Sequence, residues 1–250
     1  MKANRSLRML GVVAALVTIA NGQSTPATPT VPPEQYFFYQ LALLRRPPDA
    51  PQLDAAALAK LQEAHMANIH KLAQEGKLVL AGPFLDDTPL RGIFVFKTQS
   101  EPEAERWART DPAIQANRLA PEFHIWVQPV GTFSTPPQTN PMENYAVVLY
   151  TRGEKARQHN GSDPILQQHL AFLKGLRESG KMVVGGPFRD GGPSVTHLMI
   201  FATTPEEALQ IVSQDPFVLA GEAKPEVHPW ITQKGVLPRK PGTDGTFPSF

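Results

Sequence analysis

The chain contains no cysteine among its 250 residues, which excludes disulfide bonds, thiolate metal ligands and a cysteine-linked lipid anchor. An excess of charge of either sign is also missing, because 24 Lys and Arg stand against 23 Asp and Glu. A net charge of +1 gives no electrostatic reason to bind nucleic acid or an anionic membrane. With 41% hydrophobic residues, the chain is still able to build hydrophobic cores.

Long apolar runs are absent as well. The apolar stretch over residues 9–20 is too short for an ordinary transmembrane helix, and it follows the basic residues Lys2, Arg5 and Arg8. This pattern predicts a signal peptide over residues 1–22, with an uncleaved N-terminal anchor as the alternative. We therefore expect a periplasmic or secreted protein, in which a chain without thiols cannot form mispaired disulfides.

Several motifs of catalysis and cofactor binding are also missing. No Gly-rich loop has the spacing of a phosphate-binding or dinucleotide-binding loop, and no Ser lies in a nucleophile motif. HxH and HExxH pairs are absent, so we expect neither a metal nor a cofactor. A zinc site assembled from His65, Asp111 and His124 is the alternative that the spacing leaves open.

The sequence does contain the same unit twice. Residues 65–126 can be laid on residues 169–230 with a constant shift of 104 positions and no gap, and 20 of the 62 aligned positions are then identical. A unit of roughly 100 residues is too long for a solenoid repeat and has the size of a small duplicated domain. The chemically interesting residues that both copies retain are His65/His169, Asp111/Asp215, His124/His228 and Trp126/Trp230.

Proline-rich and glycine-rich segments mark the boundaries of the two copies. After the signal peptide, they predict a disordered linker over residues 23–33, a first domain over 34–131, a second linker over 132–141, a second domain over 142–238 and a disordered tail over 239–250.

Each copy is predicted to fold in the order β-α-β-β-α-β. The first helix of each copy is expected to end at Gly76 or Gly180, and a Gly-Pro step is expected to break the strand that follows. Capping boxes at Ser100 and Thr204 predict where the second helices begin. This ferredoxin-like α+β order covers only one face of its sheet with helices. We therefore predict an intramolecular pseudo-dimer, sheet against sheet, that forms an α+β barrel.

These motifs resemble those of the YciI-like (YCII-related) family of the dimeric α+β barrel superfamily. Copy two fits the family pattern well, with His169 four residues before Leu173, the turn over residues 180–187, Asp215-Pro216-Phe217 and Pro229-Trp230. Copy one keeps the His, Gly-Pro and Asp-Pro elements but departs after Asp-Pro and before Trp. Many family members carry Arg three residues before the helix His, where this chain has Gln62 and Leu166.

The resemblance implies a small cleft with a His–Asp pair that acts as a catalytic dyad. The candidate pairs are His169 with Asp215, preferred because copy two fits better, and His65 with Asp111. An imidazole can accept and return a proton at neutral pH, and a carboxylate on its second nitrogen fixes the tautomer. The alternative is that each His is a core residue and each Asp caps a short helix before Pro. Whether the pairs form within or between copies is left open.

A second group of candidates lies on the last strand of each copy. Alternation places each His on the same strand face as the Trp two residues later, so both would contact a substrate if that face lined the space between the copies. The alternative is that these residues pack as core: His124, Trp126, His228 and Trp230. His70 and His197 occur in one copy only, and we expect both at the surface.

These features predict an exported enzyme that transfers protons on a small organic molecule without a cofactor, of isomerase, lyase or dehydrohalogenase type. One alternative is a non-catalytic domain that binds a small molecule or another protein, and another is a cofactor-free oxygenase of the wider superfamily. The expected partner is a small-molecule ligand, with no nucleic acid and no membrane after signal cleavage. The chain would be a monomer with its internal pseudo-dimer, or a homodimer.

Overall fold

The strands of each copy form one four-stranded antiparallel sheet in a computed structural model that describes residues 36–135, 140–190 and 194–238. Copy one has the strand order β2-β3-β1-β4, and copy two has β6-β7-β5-β8. The strands are β1 (Tyr36–Arg45), β2 (Leu78–Pro83), β3 (Leu90–Phe96), β4 (Ala120–Pro129), β5 (Met142–Arg152), β6 (Met182–Pro187), β7 (Val195–Phe201) and β8 (Ala223–Gln233). The predicted tandem α+β arrangement is confirmed.

Six helices lie among the described residues, three in each copy. Their bounds are α1 (Ala55–Gln74), α2 (Glu101–Ala108), α3 (Pro112–Gln115), α4 (Pro164–Glu178), α5 (Pro205–Val212) and α6 (Pro216–Leu219). The predicted capping residues Ser100 and Thr204 accept backbone N–H bonds at the starts of α2 and α5. Gly76 and Gly180 follow α1 and α4 with φ of 68° each, a conformation that glycine adopts at little cost.

The two sheets pack face to face and enclose the largest hydrophobic cluster among the described residues. This cluster takes Leu41, Ile93 and Trp126 from copy one and Val147 and Trp230 from copy two, among others. Isolated bridges join Phe84 to Trp230 and Trp126 to Phe188, so β2 meets β8 and β4 meets β6. The predicted intramolecular barrel is therefore confirmed, and each sheet packs its outer face against its own helices.

The Gly-Pro steps end the strands as expected, because β2 and β6 finish at Pro83 and Pro187, which are the last residues of those steps. Pro is tolerated at these positions because β2 and β6 are the edge strands of their sheets, where a missing N–H removes no internal ladder bond. Gly82 has a packing role, since a Cβ there would lie 2.1 Å from the Ile231 carbonyl oxygen and 2.6 Å from the Trp230 ring. The glycine thus allows β8 to approach β2 closely.

The alignment of the copies without a gap is wrong at the third strand, where it matches residues that are not equivalent in the two sheets. Gly92 of β3 pairs with Leu44 in copy one, whereas His197 of β7 pairs with Tyr150 at the equivalent place in copy two. Leu44 and Tyr150 are equivalent because their partners on the last strand, Pro121 and Pro225, are a pair of prolines that both copies retain. Gly92 is therefore the structural equivalent of His197. The constant shift of 104 positions between the copies returns only at the capping residues of α2 and α5.

Three predicted segments lie outside the described residues: the signal peptide over 1–22, the linker over 23–33 and the tail over 239–250. The second linker, over 132–141, is described only in part. In the described part of the chain, no helix is long and apolar enough to cross a membrane.

Candidate functional site

A histidine on the first helix pairs with an aspartate after the second helix in both copies. In copy one, Nδ1 of His65 lies 2.9 Å from Oδ1 of Asp111. In copy two, Nδ1 of His169 lies 2.9 Å from each carboxylate oxygen of Asp215. A carboxylate only accepts, so Nδ1 carries the donated proton and Nε2 of a neutral ring keeps a free lone pair. The pairs form within each copy, which resolves the question that the sequence left open.

Each aspartate also caps the short helix that follows it. Asp111 accepts the Ala113 N–H at 2.8 Å at the start of α3, and Asp215 accepts the Phe217 N–H at 2.8 Å at the start of α6. Both carboxylates are completely buried. Capping and histidine binding are thus two tasks of one side chain, because the helix end holds the carboxylate at a fixed position beside the imidazole.

A cavity of about 320 Å³ lies beside His65. It runs between α1 and β2, where Ala73 and Ala81 are among its lining residues, and Thr232 of copy two forms part of its wall. The His65 side chain is 14% exposed, whereas its partner Asp111 has no exposed surface. The site therefore has an accessible imidazole in front of a buried carboxylate, and its walls come from both copies.

The histidine of copy two has no comparable access, because its side chain is only 1% exposed. The ring of Phe217 stacks on His169 with centroids 4.0 Å apart and an interplanar angle of 2°. Nε2 of His197 lies 3.3 Å from Nε2 of His169. The latter is the nitrogen of His169 that would have to act as a base. The motifs favoured copy two, but the accessible imidazole is the one in copy one.

Three substitutions between the copies account for this difference. Where copy two places His197, Phe217 and Tyr150 around its histidine, copy one has the smaller residues Gly92, Ala113 and Leu44 at the equivalent positions. Gly92 and Leu44 line the cavity. Phe217 is also one of the residues that made copy two match the family motif better, and its ring shields the histidine of that motif.

Buried polar groups around His169 complete a closed network. The Tyr150 hydroxyl donates to Oδ2 of Asp215 at 3.0 Å, and burial, helped by the Asp215 charge, raises the pKa of Tyr150. Burial lowers the pKa of His197 to about 3, and the charge of His169 acts in the same direction. Tyr150 therefore keeps its proton at neutral pH and His197 is neutral.

His197 makes the stability of the protein depend on pH with a defined sign. Its pKa falls from 6.5 to about 3 on folding, so the unfolded chain binds more protons between these values and the free energy of unfolding decreases as the pH falls. By about pH 4 the loss should be about 3 kcal/mol relative to neutral pH. Urea unfolding of wild type and His197→Gln checks this, since the variant should lose less stability on acidification. Equal losses in the two proteins would contradict the assignment.

The predicted substrate-binding residues lie in the barrel core and do not line the His65 cavity. The side chains of Trp126 and Trp230 are completely buried between the sheets. The histidines beside them pair across the copies instead: Nδ1 of His124 lies 3.0 Å from Oδ2 of Asp190, and Nδ1 of His228 lies 2.6 Å from Oδ2 of Asp86. The structure thus favours the packing alternative for this group.

Two expectations about single histidines have different outcomes. The prediction that His197 lies at the surface is wrong, because burial against His169 leaves it 8% exposed. His70 is exposed, but it also lines the cavity. The zinc alternative required His124 beside His65 and Asp111, and the pairing of His124 with Asp190 removes it. Within the described ranges, no group of three or more His, Cys, Asp or Glu is arranged to hold a metal ion.

The remaining residues that shape the site gave no signal in the sequence. Leu44, Ala73 and Gly92 carry no reactive group, and they matter only through the space that their side chains leave empty. Asp86 and Asp190 were visible as positions that both copies retain. Their role across the barrel became apparent only from the pairing of the edge strands.

Two antiparallel four-stranded sheets that close on each other, with helices outside, define the dimeric α+β barrel class, here formed by one chain. The sequence model of the YCII-related domain matches residues 41–122 and 144–231. The chain therefore belongs to the YCII-related family and contains two fused copies of its domain.

The chain is similar to solved structures at low sequence identity, and the one with a TM-score of 0.50 supports the fold and no finer conclusion. A chlorite dismutase from Candidatus Nitrospira defluvii has a TM-score of 0.50 at 10% identity, with coverage of 80% of this chain and 91% of that one. A heme-binding protein from Thermus thermophilus has a TM-score of 0.45 at 13% identity, with coverage of 79% and 91%. Among curated proteins, none matches the sequence significantly.

Proposed function

We propose that this protein is an enzyme that transfers protons on a small organic molecule bound in the His65 cavity, with no cofactor. The observation that supports this most directly is the hydrogen bond from His65 to the buried Asp111, beside a cavity that reaches the imidazole. Because Nδ1 donates to Asp111, Nε2 is the nitrogen with a lone pair available for the substrate. Asp111 holds that tautomer and stabilises the imidazolium that forms.

The proposed step begins when Nε2 of His65 removes a proton from a carbon next to a carbonyl group. The electron pair of the broken C–H bond is delocalised onto the carbonyl oxygen as an enolate. In an isomerase, the imidazolium then returns the proton to a different carbon. In a lyase or dehydrohalogenase, the electron pair instead forms a double bond and expels the leaving group. After such an elimination the imidazolium loses its proton to water, whereas in the isomerase it has already returned the proton to the substrate, so His65 ends either cycle neutral.

The cavity walls suit a small, mainly apolar substrate. Leu80, Phe94 and Val236 contribute apolar surface, whereas Gln62 and Thr232 supply amide and hydroxyl groups that could orient an oxygen of the substrate. The volume of about 320 Å³ lies at the small end of ligand pockets, which span roughly 300–1,000 Å³. A substrate that fills this cavity displaces water from the imidazole, and this strengthens the interaction of the imidazolium with Asp111.

The proposal includes export of the enzyme. Its support is the sequence of residues 1–22, in which basic residues precede a short apolar run and small residues precede the expected cleavage point. Export would place the reaction outside the cytoplasm, on a substrate taken from the surroundings of the cell.

The alternative function is binding of a small molecule without catalysis. The observation in its favour is that copy two retains the same His–Asp pair in a closed environment, where the pair serves packing and helix capping. Retention of the pair therefore does not by itself require catalysis. A binding protein would use the same cavity but would leave the bonds of its ligand intact.

Hydrogen exchange in heavy water tests the proposal even when the product of the reaction is not known. The protein, starting at Gln23, would be incubated with a panel of small aromatic acids, phenols and lactones, and NMR would follow loss of C–H signals and formation of products. We expect exchange or turnover with at least one compound in wild type and none with Asp111→Asn. Compounds that raise the melting temperature but show no exchange would instead establish the binding alternative.

A further inference from the structure

We propose that copy two contains the same groove between its first helix and its edge strand as copy one, filled by the guanidinium of its own Arg177, so that position 73/177 acts together with the three substitutions around the histidines to leave the groove open in copy one alone among the described residues. Nη2 of Arg177 on α4 donates to the carbonyl oxygen of Gly185 on β6 at 3.1 Å. The equivalent residues of copy one are Ala73 on α1 and Ala81 on β2, and both line the open cavity. The arginine therefore spans the space that is empty in copy one.

The surroundings of Arg177 support the equivalence of the two pockets. Burial lowers the pKa of Arg177, and an interaction with Tyr36 acts in the opposite direction. Tyr36 occupies the place in β1 that Met142 occupies in β5, because each pairs with the equivalent residue of the last strand. Met142 lines the copy-one cavity, so Arg177 interacts with the corresponding wall in copy two.

The chemistry of the filled pocket identifies the ligand class that it would accept. A guanidinium is planar and presents several N–H donors, which suits a groove that offers a carbonyl acceptor between a helix and an edge strand. If Arg177 is shortened, the groove should take a small planar cation such as the guanidinium ion. In copy one, no side chain of α1 places a cation in this groove, and the guanidinium of Arg91, which also lines the cavity, donates to the carbonyl oxygens of Asp86 and Thr88. The groove is therefore left for the substrate of the proposed reaction.

The inference rests on the proposed function only where activity is measured. Its first test therefore measures the melting temperature, which does not depend on that function. Arg177→Ala recreates the residue that copy one has at this position, and Lys174→Ala, on the exposed part of the same helix, is the matched control. We expect Arg177→Ala to lower the melting temperature by several degrees, and low-millimolar guanidinium chloride to restore part of the loss relative to sodium chloride. Wild type and Lys174→Ala should show no such recovery. If Arg177→Ala responds to guanidinium as the control does, the inference fails.

The second test places an arginine in copy one and remains informative if Arg177→Ala does not fold. Ala73→Arg should fill the His65 cavity in a crystal structure, and it should abolish exchange or turnover while the melting temperature stays within a few degrees of wild type. Ala67→Arg, on the exposed part of the same helix, should leave both unchanged. An Ala73→Arg structure with the cavity still open would overturn the inference. If wild type itself shows no exchange, the proposed function fails, whereas the crystal structure and the guanidinium recovery still decide this inference.

Discussion

Replacement of His65 by glutamine is expected to lower kcat/KM by about 10²- to 10⁴-fold, the usual contribution of a general base. The same replacement at His169 should leave kcat/KM within a few-fold of wild type. The reason is access: His65 borders the cavity, whereas Phe217 and His197 cover His169. Steady-state kinetics of the two variants on the first substrate found in heavy water provides the measurement.

The effects of the two replacements on stability should have the opposite order. His169→Gln should lower the free energy of unfolding by about 3 kcal/mol, because it removes the imidazole that donates to the completely buried carboxylate of Asp215. His65→Gln should cost less, since its side chain is partly exposed and water can replace the lost hydrogen bond. Urea unfolding of both variants checks this order. Loss of activity in His169→Gln with full activity in His65→Gln would show that copy two contains the working site.

Truncation of Trp230 to alanine is expected to lower the free energy of unfolding by about 3–5 kcal/mol, and Trp126→Ala by a similar amount. Both rings are completely buried in the cluster between the sheets. Each ring packs in a cluster that side chains of both copies build, so its truncation weakens the joint between the copies as well as one sheet. Chemical denaturation followed by circular dichroism measures the loss.

Trp107 provides the matched control, because it is only partly buried on α2 and packs against Phe96 at the helix-covered face of copy one. Trp107→Ala should cost clearly less than either barrel tryptophan. If Trp126→Ala and Trp230→Ala instead leave stability nearly unchanged but abolish ligand binding, the packing assignment is wrong. In that case, the substrate-binding role predicted from the sequence is the correct one.

Much of the fold could be predicted from the sequence because its signals are local and occur twice. The capping boxes at Ser100 and Thr204 and the glycines after α1 and α4 act within one helical turn, so their effect does not depend on distant packing. The repeat adds the pairing of sheets, since a sheet with helices on one face needs cover on the other. The His–Asp pairs were also predictable as candidates because both copies retain them.

The sequence did not reveal which copy has an accessible site. Motif fit favoured copy two, partly through Phe217, but a motif records residue identity and not the space around it. The errors at the third strand had a similar cause: a shift of one residue between β3 and β7 is compensated before the next helices, so the alignment without a gap hid the equivalence of Gly92 and His197.

The two α+β copies and their helix ends could be read from the sequence, because short-range hydrogen bonding and periodicity specify these features. The repeat and the family resemblance marked the His and Asp residues as candidates, but their pairing within each copy depends on the packing of elements that are far apart in the chain. Only the tertiary structure decided that Trp126 and Trp230 form the core of a barrel and that the cavity lies beside His65. Leu44, Ala73 and Gly92 come from β1, α1 and β3, and the cavity that they line exists only after those elements pack together. In copy two, Tyr150, Arg177 and His197 stand at the equivalent positions and Phe217 stacks on the imidazole, so the same His–Asp pair becomes part of a closed interior.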